Sequence, residues 1–304
     1  MGKTRSRKTL WTEDDVPAQA GRVFIVTGAS SGLGWETARV LTRKGATVIL
    51  ACRNRQKAEE AAARMQAFAP AGRAVVMDLD LADLDSVHSF AAAVKKNFNG
   101  LDVLINNAGV GSVPYARTAQ GFELHFGVNH LGHFALTGLL IDILVTTPDS
   151  RVVTVSSLMH RLGVVDFDDL NSERGYATNR VYSISKLENL LFTYELQRRL
   201  AAAGRHTIAV AAHPGWSHTP MTSGAIYEGF NRIFAQQAAR GALPALYAAT
   251  APDVSGGDYI GPSGFLGMSG SPKKVRSGKR SHDQNTARRL WEVSEKLTGV
   301  DFHL

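Results

Sequence analysis

The chain has 304 residues, of which 44% are hydrophobic and 20% are charged, and its formal net charge is +7. This length and composition predict one α/β domain with a large hydrophobic core, and they exclude a chain that is disordered overall. The positive charge is concentrated in two short basic segments, at 3–8 and 273–280, so the rest of the chain is nearly neutral. We therefore expect solvated basic ends and no nucleic-acid-binding face.

Membrane and disulfide signals are absent from the sequence. No apolar run reaches the roughly 18 residues of a membrane span, and no signal-peptide core follows the basic residues near the N-terminus. Cys52 is the only cysteine, which excludes an intrachain disulfide and fits a reducing compartment. These features predict a cytoplasmic protein without a membrane span, with a basic tail over residues 1–20 and a single domain over 21–304.

The first predicted strand, Val23–Thr27, leads directly into a glycine-rich turn and a helix that extends to Lys44. Glycines in such a turn permit positive φ angles and close approach of a ligand, and the free N–H groups of the helix start attract a pyrophosphate. The alternative is a tight strand-to-helix turn without a ligand. As a dinucleotide site, the turn would contact the cofactor through Gly28, Ser30, Ser31, Gly32, Leu33 and Gly34.

The second predicted strand, Thr47–Ala51, ends at Cys52 and Arg53, about 20 residues after the glycines, where dinucleotide folds bind the adenosine ribose. No acidic residue is present here to accept hydrogen bonds from a ribose 2′-hydroxyl. A guanidinium suits a 2′-phosphate, so Arg53 favours NADP(H) over NAD(H). Alternatively, Arg53 is an ordinary solvated residue at a strand end.

Strand-like and helix-like segments alternate along the rest of the chain, a pattern typical of a parallel sheet with helices on both faces. Six strands are countable up to residue 211, and Tyr259–Ile260 is a further short edge strand, so we predict a doubly wound α/β sheet of about seven strands. A long helix is predicted over 121–145. Right-handed crossovers would place a ligand at the carboxyl ends of the strands.

Polar residues and glycines follow these predicted strand ends, where a cofactor would lie. The expected cofactor contacts there are Asp78, Leu79, Asn106, Ala108, Gly109, Pro214 and Gly215. Ser156 and Ser157 follow the fifth strand and are candidates for polarising a substrate oxygen.

Tyr182 and Lys186 are four residues apart, which places a phenol and an ammonium on one helix face. A free phenol has a pKa near ~10, and a cation about 4 Å away contributes roughly 4 kcal/mol at an effective dielectric of about 20. The pair can therefore act as a proton donor near neutral pH. An isolated Tyr-x-x-x-Lys is more often part of an ordinary amphipathic helix, and the upstream motifs favour the catalytic interpretation.

Taken together, the motifs resemble those of the short-chain dehydrogenase/reductase family, in the family's order. They are Thr27-Gly28-x-x-x-Gly32-x-Gly34, Asn106-Asn107-Ala108-Gly109, Asn129, Ser157, Tyr182-x-x-x-Lys186 and Pro214-Gly215. The long segment between Ser157 and Tyr182 and the run Gly261-Pro262-x-Gly264-Phe265 resemble the retinol dehydrogenase and protochlorophyllide reductase-like branch. The resemblance implies a Rossmann-type sheet and a nicotinamide cofactor.

The family resemblance also implies a role for each matching position of the site. Tyr182 would exchange a proton with the substrate oxygen, and Lys186 would assist it while holding the nicotinamide ribose. Ser157 would polarise the same oxygen, and Asn129 would support a water beside Lys186. Tyr182 and Lys186 are therefore expected to be both catalytic and cofactor-binding residues.

One spacing departs from the family pattern. Ser157 and Tyr182 are 25 residues apart, and a shorter spacing is usual in the family. The extra segment is Leu158 to Thr178. An insertion between a strand end and a helix can bulge over a site without moving either residue, so the catalytic geometry can survive. Ser156 stays open as an alternative to Ser157.

Two classes of function remain from the sequence. The first is an NADP(H)-dependent oxidoreductase acting on a carbonyl or alcohol, with reduction of an activated C=C bond as the runner-up. The second is a sensor or scaffold that binds the nucleotide without turnover. No metal site is expected, because the histidines at 125, 130 and 133 lie on one predicted helix without an acidic cluster. Hydrolysis is disfavoured because Ser157 lacks the Gly-x-Ser-x-Gly turn.

The substrate is the least specified part of the prediction. Residues 216–230 contain Trp216, Met221, Ile226, Tyr227 and Phe230, an apolar set that suits a substrate lid and a hydrophobic small molecule. The same residues could also pack a fixed wall. The sequence does not distinguish a retinoid from a steroid, a fatty aldehyde or a quinone, and it is compatible with a homo-oligomer.

Overall fold

The computed structural model describes residues 10–69, 71–215 and 238–304. Eight strands of this part of the chain form one sheet: β1 (Val23–Thr27), β2 (Thr47–Cys52), β3 (Arg73–Asp78), β4 (Val103–Asn106), β5 (Arg151–Val155), β6 (Ile208–Ala212), β7 (Tyr259–Pro262) and β8 (Pro272–Lys274). Their order across the sheet is β3-β2-β1-β4-β5-β6-β7-β8. The first seven strands are parallel, and β8 is antiparallel to β7.

Helices cover both faces of this sheet because successive strand residues point to opposite sides. Phe24 packs into the core on one face, whereas Ile25 packs into the core on the other. The first face is covered by α1 (Gly32–Arg43), α2 (Arg55–Phe68) and α7 (Ala238–Thr250), and the second by α3 (Leu84–Asn97), α4 (Gly132–Leu139), α5 (Ile141–Val145), α6 (Thr178–Ala202) and α8 (Gln284–Thr298). The prediction of a doubly wound α/β sheet is confirmed. No helix among the described residues is long and apolar enough to cross a membrane.

The strand order reverses between β1 and β4, which pair directly through Ile25 and Leu104. β2 and β3 lie on one side of this pair, and β5 to β7 lie on the other. In doubly wound sheets the ligand crevice opens at such a reversal, outside the carboxyl ends of the strands. The segments that follow β1, β2, β4, β5 and β6 therefore surround one crevice.

The helix predicted over 121–145 is not continuous. A π-helical stretch, Phe126–Leu131, precedes α4, and Leu140 interrupts the helix between α4 and α5 with φ −105° and ψ 2°. All six residues of the π-helical stretch are buried. Wider π turns often occur at functional sites, and this one places Asn129 in the interior below the crevice.

The C-terminal part of the sheet goes beyond the sequence prediction of about seven strands. β8 has three residues, begins with Pro272 and exposes Lys273 and Lys274, so it lacks the apolar alternation of a recognisable strand. At the other end of the chain, Val16 is 1% exposed and Glu13 forms an ion pair with Arg39. Residues 10–20 thus contact the sheet domain, and the tail boundary at residue 20 stays a prediction.

Candidate active site

The turn between β1 and α1 has a glycine backbone that leaves room for a ligand. Gly28 and Gly32 have φ angles of +67° and +56°, a conformation that side-chain-bearing residues rarely adopt. A Cβ on Gly34 would lie 2.4 Å from the carbonyl oxygen of Gly28, so only glycine fits there. Ser31 precedes α1 without capping it through its side chain, which leaves N–H groups of the first turn for an anionic ligand. Leu33 lies within this first turn.

The end of β2 contacts the glycine turn from the side. Cys52 is 3% exposed, and burial raises the pKa of its thiol, while hydrogen bonds with the side chain and backbone of Ser30 act in the opposite direction. Arg53 follows and is exposed. Within residues 10–69, 71–215 and 238–304, no carboxylate forms an ion pair with Arg53. Its guanidinium is therefore available to an anion outside the protein.

Asp78, at the end of β3, has a partner that the sequence motifs do not indicate. Its Oδ2 accepts a hydrogen bond from Arg55 Nη1 at 2.9 Å, and Arg55 Nε also donates to Glu59. Asp78 lies beside Cys52 in the sheet register, and Leu79 follows it with 3% exposure. Arg55 is therefore a second arginine close to Arg53 in the sequence, and its own guanidinium is already paired with the carboxylates of Asp78 and Glu59.

The segment after β4 is fixed to β1 by one threonine. Thr27 Oγ1 accepts hydrogen bonds from the N–H groups of Asn107 and Ala108, each at 2.9 Å, and the Asn107 amide donates to the carbonyl oxygen of Thr27 at 2.8 Å. The Asn106 side chain turns inward and donates to Thr137 on α4. Asn107, which the sequence analysis did not single out, thus anchors this strand end.

Asn129 is fully buried and holds the next part of this segment. Its side-chain oxygen accepts from the N–H of Val110 at 2.8 Å, and its amide donates to the carbonyl oxygen of Val110 at 3.0 Å and to Ser185 Oγ at 2.9 Å. A Cβ on Gly109 would lie 3.0 Å from Asn129 Oδ1 and 3.4 Å from Lys186 Nζ. Gly109 therefore keeps the space beside Lys186 free of a side chain.

Lys186 and Tyr182 lie on the same face of α6, as their spacing predicts. Lys186 is 3% exposed, and burial lowers the pKa of its ammonium to about 8. Its Nζ donates to the carbonyl oxygen of Val155 at 3.2 Å and lies 5.7 Å from the ring centroid of Tyr182. The buried cation is thus held between the end of β5 and the phenol.

The two serines after β5 have different surroundings. Ser156 is 2% exposed, and its hydroxyl donates to the carbonyl oxygen of Lys186 at 2.7 Å. Ser157 Oγ accepts from the N–H of Met159 at 3.2 Å, and none of its hydrogen bonds to described residues uses its own hydroxyl hydrogen. Ser156 therefore ties β5 to α6, whereas the Ser157 hydroxyl can donate to a ligand.

The crevice continues at the end of β6. Gly215 has a φ angle of +72°, and its N–H donates to His213 Nδ1 at 3.2 Å. A Cβ on Gly215 would lie 2.3 Å from the carbonyl oxygen of Met268, so Pro214 and Gly215 pass close to the turn after β7. The predicted lid over residues 216–230 lies outside the described residues.

The histidines near Asn129 have structural partners. His130 Nε2 bonds with Ser294 Oγ at 2.8 Å, and His133 Nε2 bonds with Thr27 Oγ1 at 3.0 Å. Burial lowers their pKa values to about 3 and about 4, so both rings are neutral near pH 7. Across the described part of the chain, no group of acidic, histidine or cysteine side chains has the arrangement of a metal site.

Comparisons with known proteins show which family the chain belongs to. Residues 22–227 match the family model for the short chain dehydrogenases. Retinol dehydrogenase 14 of Mus musculus is 41% identical over 300 residues, which cover 92% of this chain and 86% of that protein. Retinol dehydrogenase 12 of Mus musculus is 39% identical, with 93% of this chain and 88% of that protein covered.

Solved structures show the same fold. An uncharacterized protein from Mycobacterium paratuberculosis is 47% identical, with a TM-score of 0.84 and coverage of 97% of this chain and 100% of that chain. The RhlG/NADP active-site complex of Pseudomonas aeruginosa, at 23% identity, has a TM-score of 0.63 and covers 79% of this chain and 94% of that chain. The protein belongs to the short-chain dehydrogenase family and is an oxidoreductase that acts on alcohol and carbonyl groups.

Proposed function

We propose that the protein is an NADP(H)-dependent oxidoreductase that transfers a hydride between the nicotinamide and the carbonyl or alcohol carbon of a lipophilic substrate. The observation that carries this proposal is the cluster of Asn129, Lys186 and Gly109 beside Tyr182. Lys186 is buried and has no carboxylate partner among the described residues. It borders Gly109, and Asn129 holds the next residue, Val110, through hydrogen bonds to its N–H and its carbonyl oxygen. Burial of an ammonium without a carboxylate partner is costly, and ionisable groups in such surroundings occur preferentially at functional sites.

The residues around the crevice fit a dinucleotide. The Gly28 and Gly32 conformations and the tight approach of Gly34 to Gly28 open the β1–α1 turn to a pyrophosphate. Gly109 leaves room beside Lys186, whose Nζ can donate to ribose hydroxyls. When bound, the nicotinamide supplies or accepts the hydride.

Tyr182 exchanges the proton in the proposed mechanism. In the direction of reduction, its hydroxyl donates to the carbonyl oxygen, and the product is an alcohol. The Lys186 ammonium, 5.7 Å from the Tyr182 ring centroid, stabilises the phenolate that remains through its positive charge. The Ser157 hydroxyl donates to the same substrate oxygen and orients it.

The preference for NADP(H) rests on the end of β2. Arg53 is exposed, follows the buried Cys52 and has no carboxylate partner in the described structure. Since an acidic residue is absent at this strand end, the site offers a cation to a 2′-phosphate and no acceptor to a ribose 2′-hydroxyl. Arg55 is also close along the chain, but its guanidinium is occupied by Asp78 and Glu59.

The lipophilic class of the substrate rests on the relatives, whose names state that they act on retinol. We infer that the chain accepts apolar aldehydes or alcohols of this kind. The lid predicted over 216–230 would cover such a substrate, and this part of the proposal stays a prediction. A cytoplasmic location and a homo-oligomeric state also stay predictions.

Turnover of three carbonyl compounds tests the proposed activity. We expect all-trans-retinal to be reduced with NADPH at a kcat/KM at least about 10-fold above that of acetaldehyde, because an apolar pocket gains from each buried methylene. Product chromatography should give the alcohol with its C=C bonds intact. A cyclic enone in the same assay separates the runner-up, since a saturated ketone product would identify a C=C reductase. Tight NADPH binding without turnover of any of the three would identify a sensor or scaffold.

Paired serine substitutions test which hydroxyl acts on the substrate. We expect Ser157→Ala to lower kcat by about 10- to 10²-fold, because a donor to the reacting oxygen is lost. The matched variant Ser156→Ala should keep most of kcat and lose about 0.5–1.5 kcal/mol of unfolding free energy, since its bond to the Lys186 carbonyl is structural. Steady-state kinetics and urea unfolding measure the two effects. The reverse pattern would move the catalytic role to Ser156.

A further inference from the structure

The long segment between Ser157 and Tyr182, residues 158–178, is anchored to the segment of the chain that follows β4. Three side-chain contacts join it to residues 113–123. They are Asn171 Oδ1 with the N–H of Glu123 (2.9 Å), Glu173 Oε1 with Arg117 Nη2 (2.7 Å), and Tyr176 Oη with the carbonyl oxygen of Val113 (2.7 Å). The insertion is therefore fixed to the part of the chain that precedes the π-helical stretch.

At the centre of these contacts lies a buried pair, Glu123 and His125, both 0% exposed. Glu123 Oε1 bonds with His125 Nδ1 at 2.8 Å, and Glu123 Oε2 accepts from the N–H of Phe126 at 2.9 Å. His125 Nε2 bonds with the carbonyl oxygen of Gly111. Because a carbonyl oxygen only accepts, Nε2 carries a hydrogen, and the remaining proton is shared between Nδ1 and the Glu123 carboxyl.

A second buried acidic residue, Glu188 on α6, interacts electrostatically with Glu123. Glu188 is 1% exposed, and its pKa is raised to about 8 by burial and then by Glu123. Glu188 is therefore largely protonated near pH 7. His125 is bonded to Glu123 at Nδ1 and to the Gly111 carbonyl at Nε2. A histidine paired in this way is held rigidly, since both ring nitrogens and both carboxylate oxygens are bonded.

His125 separates the catalytic phenol from the segment after β4. Its ring meets the Tyr182 ring edge to face, with centroids 6.3 Å apart and an interplanar angle of 70°. The Tyr176 ring lies 6.3 Å from it on the insertion. The segment 109–113 is thus held at three of its five residues, by Asn129 at Val110, by His125 at Gly111 and by Tyr176 at Val113. Its first residue, Gly109, borders Lys186.

We propose that Glu123 and His125 are positioning residues that set the Tyr182 ring and the segment 109–113 relative to each other, with the 158–178 insertion as their outer support. The proposal rests on the proposed role of Tyr182. The proposed effect is alignment of the reacting groups. The phenol must meet the substrate oxygen while segment 109–113 borders the cofactor crevice. A displacement of about 1 Å can lower the rate by roughly 10²-fold. The insertion therefore contributes to the active site instead of only bulging over it.

Substitution of His125 tests this with a matched control. We expect His125→Ala to lower kcat by about 10- to 10²-fold with nearly unchanged NADPH affinity. His125→Gln should recover most of the rate, because its amide can still donate to the Gly111 carbonyl. The control is His130→Ala: His130 is also buried and lies in the π-helical stretch that begins directly after His125, but it bonds with Ser294 on α8. This control should lose a similar amount of thermal stability and keep its kcat.

Hydrogen exchange gives a readout that does not depend on turnover. The amides of residues 110–113 should exchange faster in His125→Ala than in wild type, and they should be unchanged in His130→Ala. If His125→Ala does not fold, Tyr176→Phe takes its place, because it removes only the hydroxyl that bonds with Val113. Equal kcat and equal exchange in the His125 and His130 variants would overturn the proposal. If the wild-type protein reduces no carbonyl, the proposed function fails, and the exchange comparison still tests the positioning of segment 109–113.

Discussion

Replacement of Tyr182 by phenylalanine is expected to lower kcat for carbonyl reduction by about 10²-fold or more, with little change in NADPH affinity. The substitution removes the hydroxyl that would donate the proton and keeps the ring that packs against His125. Single-turnover measurements separate the chemical step from product release, and fluorescence titration gives the NADPH affinity. A variant that retains most of its turnover would exclude Tyr182 as the proton donor.

Two further substitutions on α6 make this result specific. Tyr194→Phe is the matched control, because Tyr194 lies on the same helix and its hydroxyl bonds with Ser277 at 2.8 Å, away from Lys186. It should keep the wild-type kcat. Lys186→Ala should lower both kcat and NADPH affinity, since its ammonium lies beside Tyr182 and also borders the space left by Gly109. A loss of rate with unchanged affinity would contradict the dual role of Lys186.

The sheet was predictable from sequence because its central strands are buried on both faces. Such strands are continuous apolar runs bounded by turn residues, and β1 has the same bounds in the sequence pattern as in the structure. The π-helical stretch was not predictable, because 121–145 has an ordinary helical pattern. Its geometry depends on tertiary packing, for example of Gly132, where a Cβ would lie 2.6 Å from the carbonyl oxygen of Leu81. β8 has only three residues, two of which are exposed lysines, so the sequence has no pattern there that predicts a strand.

The residues of the candidate site also differ in how well the sequence predicts them. Residues that act through the backbone or through a fixed helical spacing, such as Gly34 and Lys186, carry a local sequence signal. Residues that act through a partner distant in sequence do not. The sequence gives no signal for a positioning role of His125. Its contact with the Gly111 carbonyl, 14 residues away, exists only in the folded chain, and its pair with Glu123 forms no recognisable motif. The contacts of the 158–178 insertion with residues 113–123 could not be predicted from the sequence for the same reason.

The cofactor preference gives the second large expected effect. We expect Arg53→Ala to weaken NADPH binding by roughly 10- to 10²-fold and to leave NADH binding nearly unchanged, because a charge-assisted bond to the 2′-phosphate is lost. Calorimetric titration of both nucleotides measures the difference. The wild-type preference for NADPH should also decrease with added salt, since exposed charges are screened over a Debye length of about 8–10 Å.

A matched arginine separates this contact from a general effect of net charge. Arg73 is also exposed and lies at the start of β3, beside Thr47 at the start of β2, whereas Arg53 follows the other end of β2. Arg73→Ala removes the same charge, so it should leave the affinities for both nucleotides close to those of wild type. If Arg53→Ala weakens NADPH and NADH equally, Arg53 does not contact the 2′-phosphate. If both arginine variants weaken NADPH alike, the preference comes from the overall positive charge of the protein, and the end of β2 does not determine it.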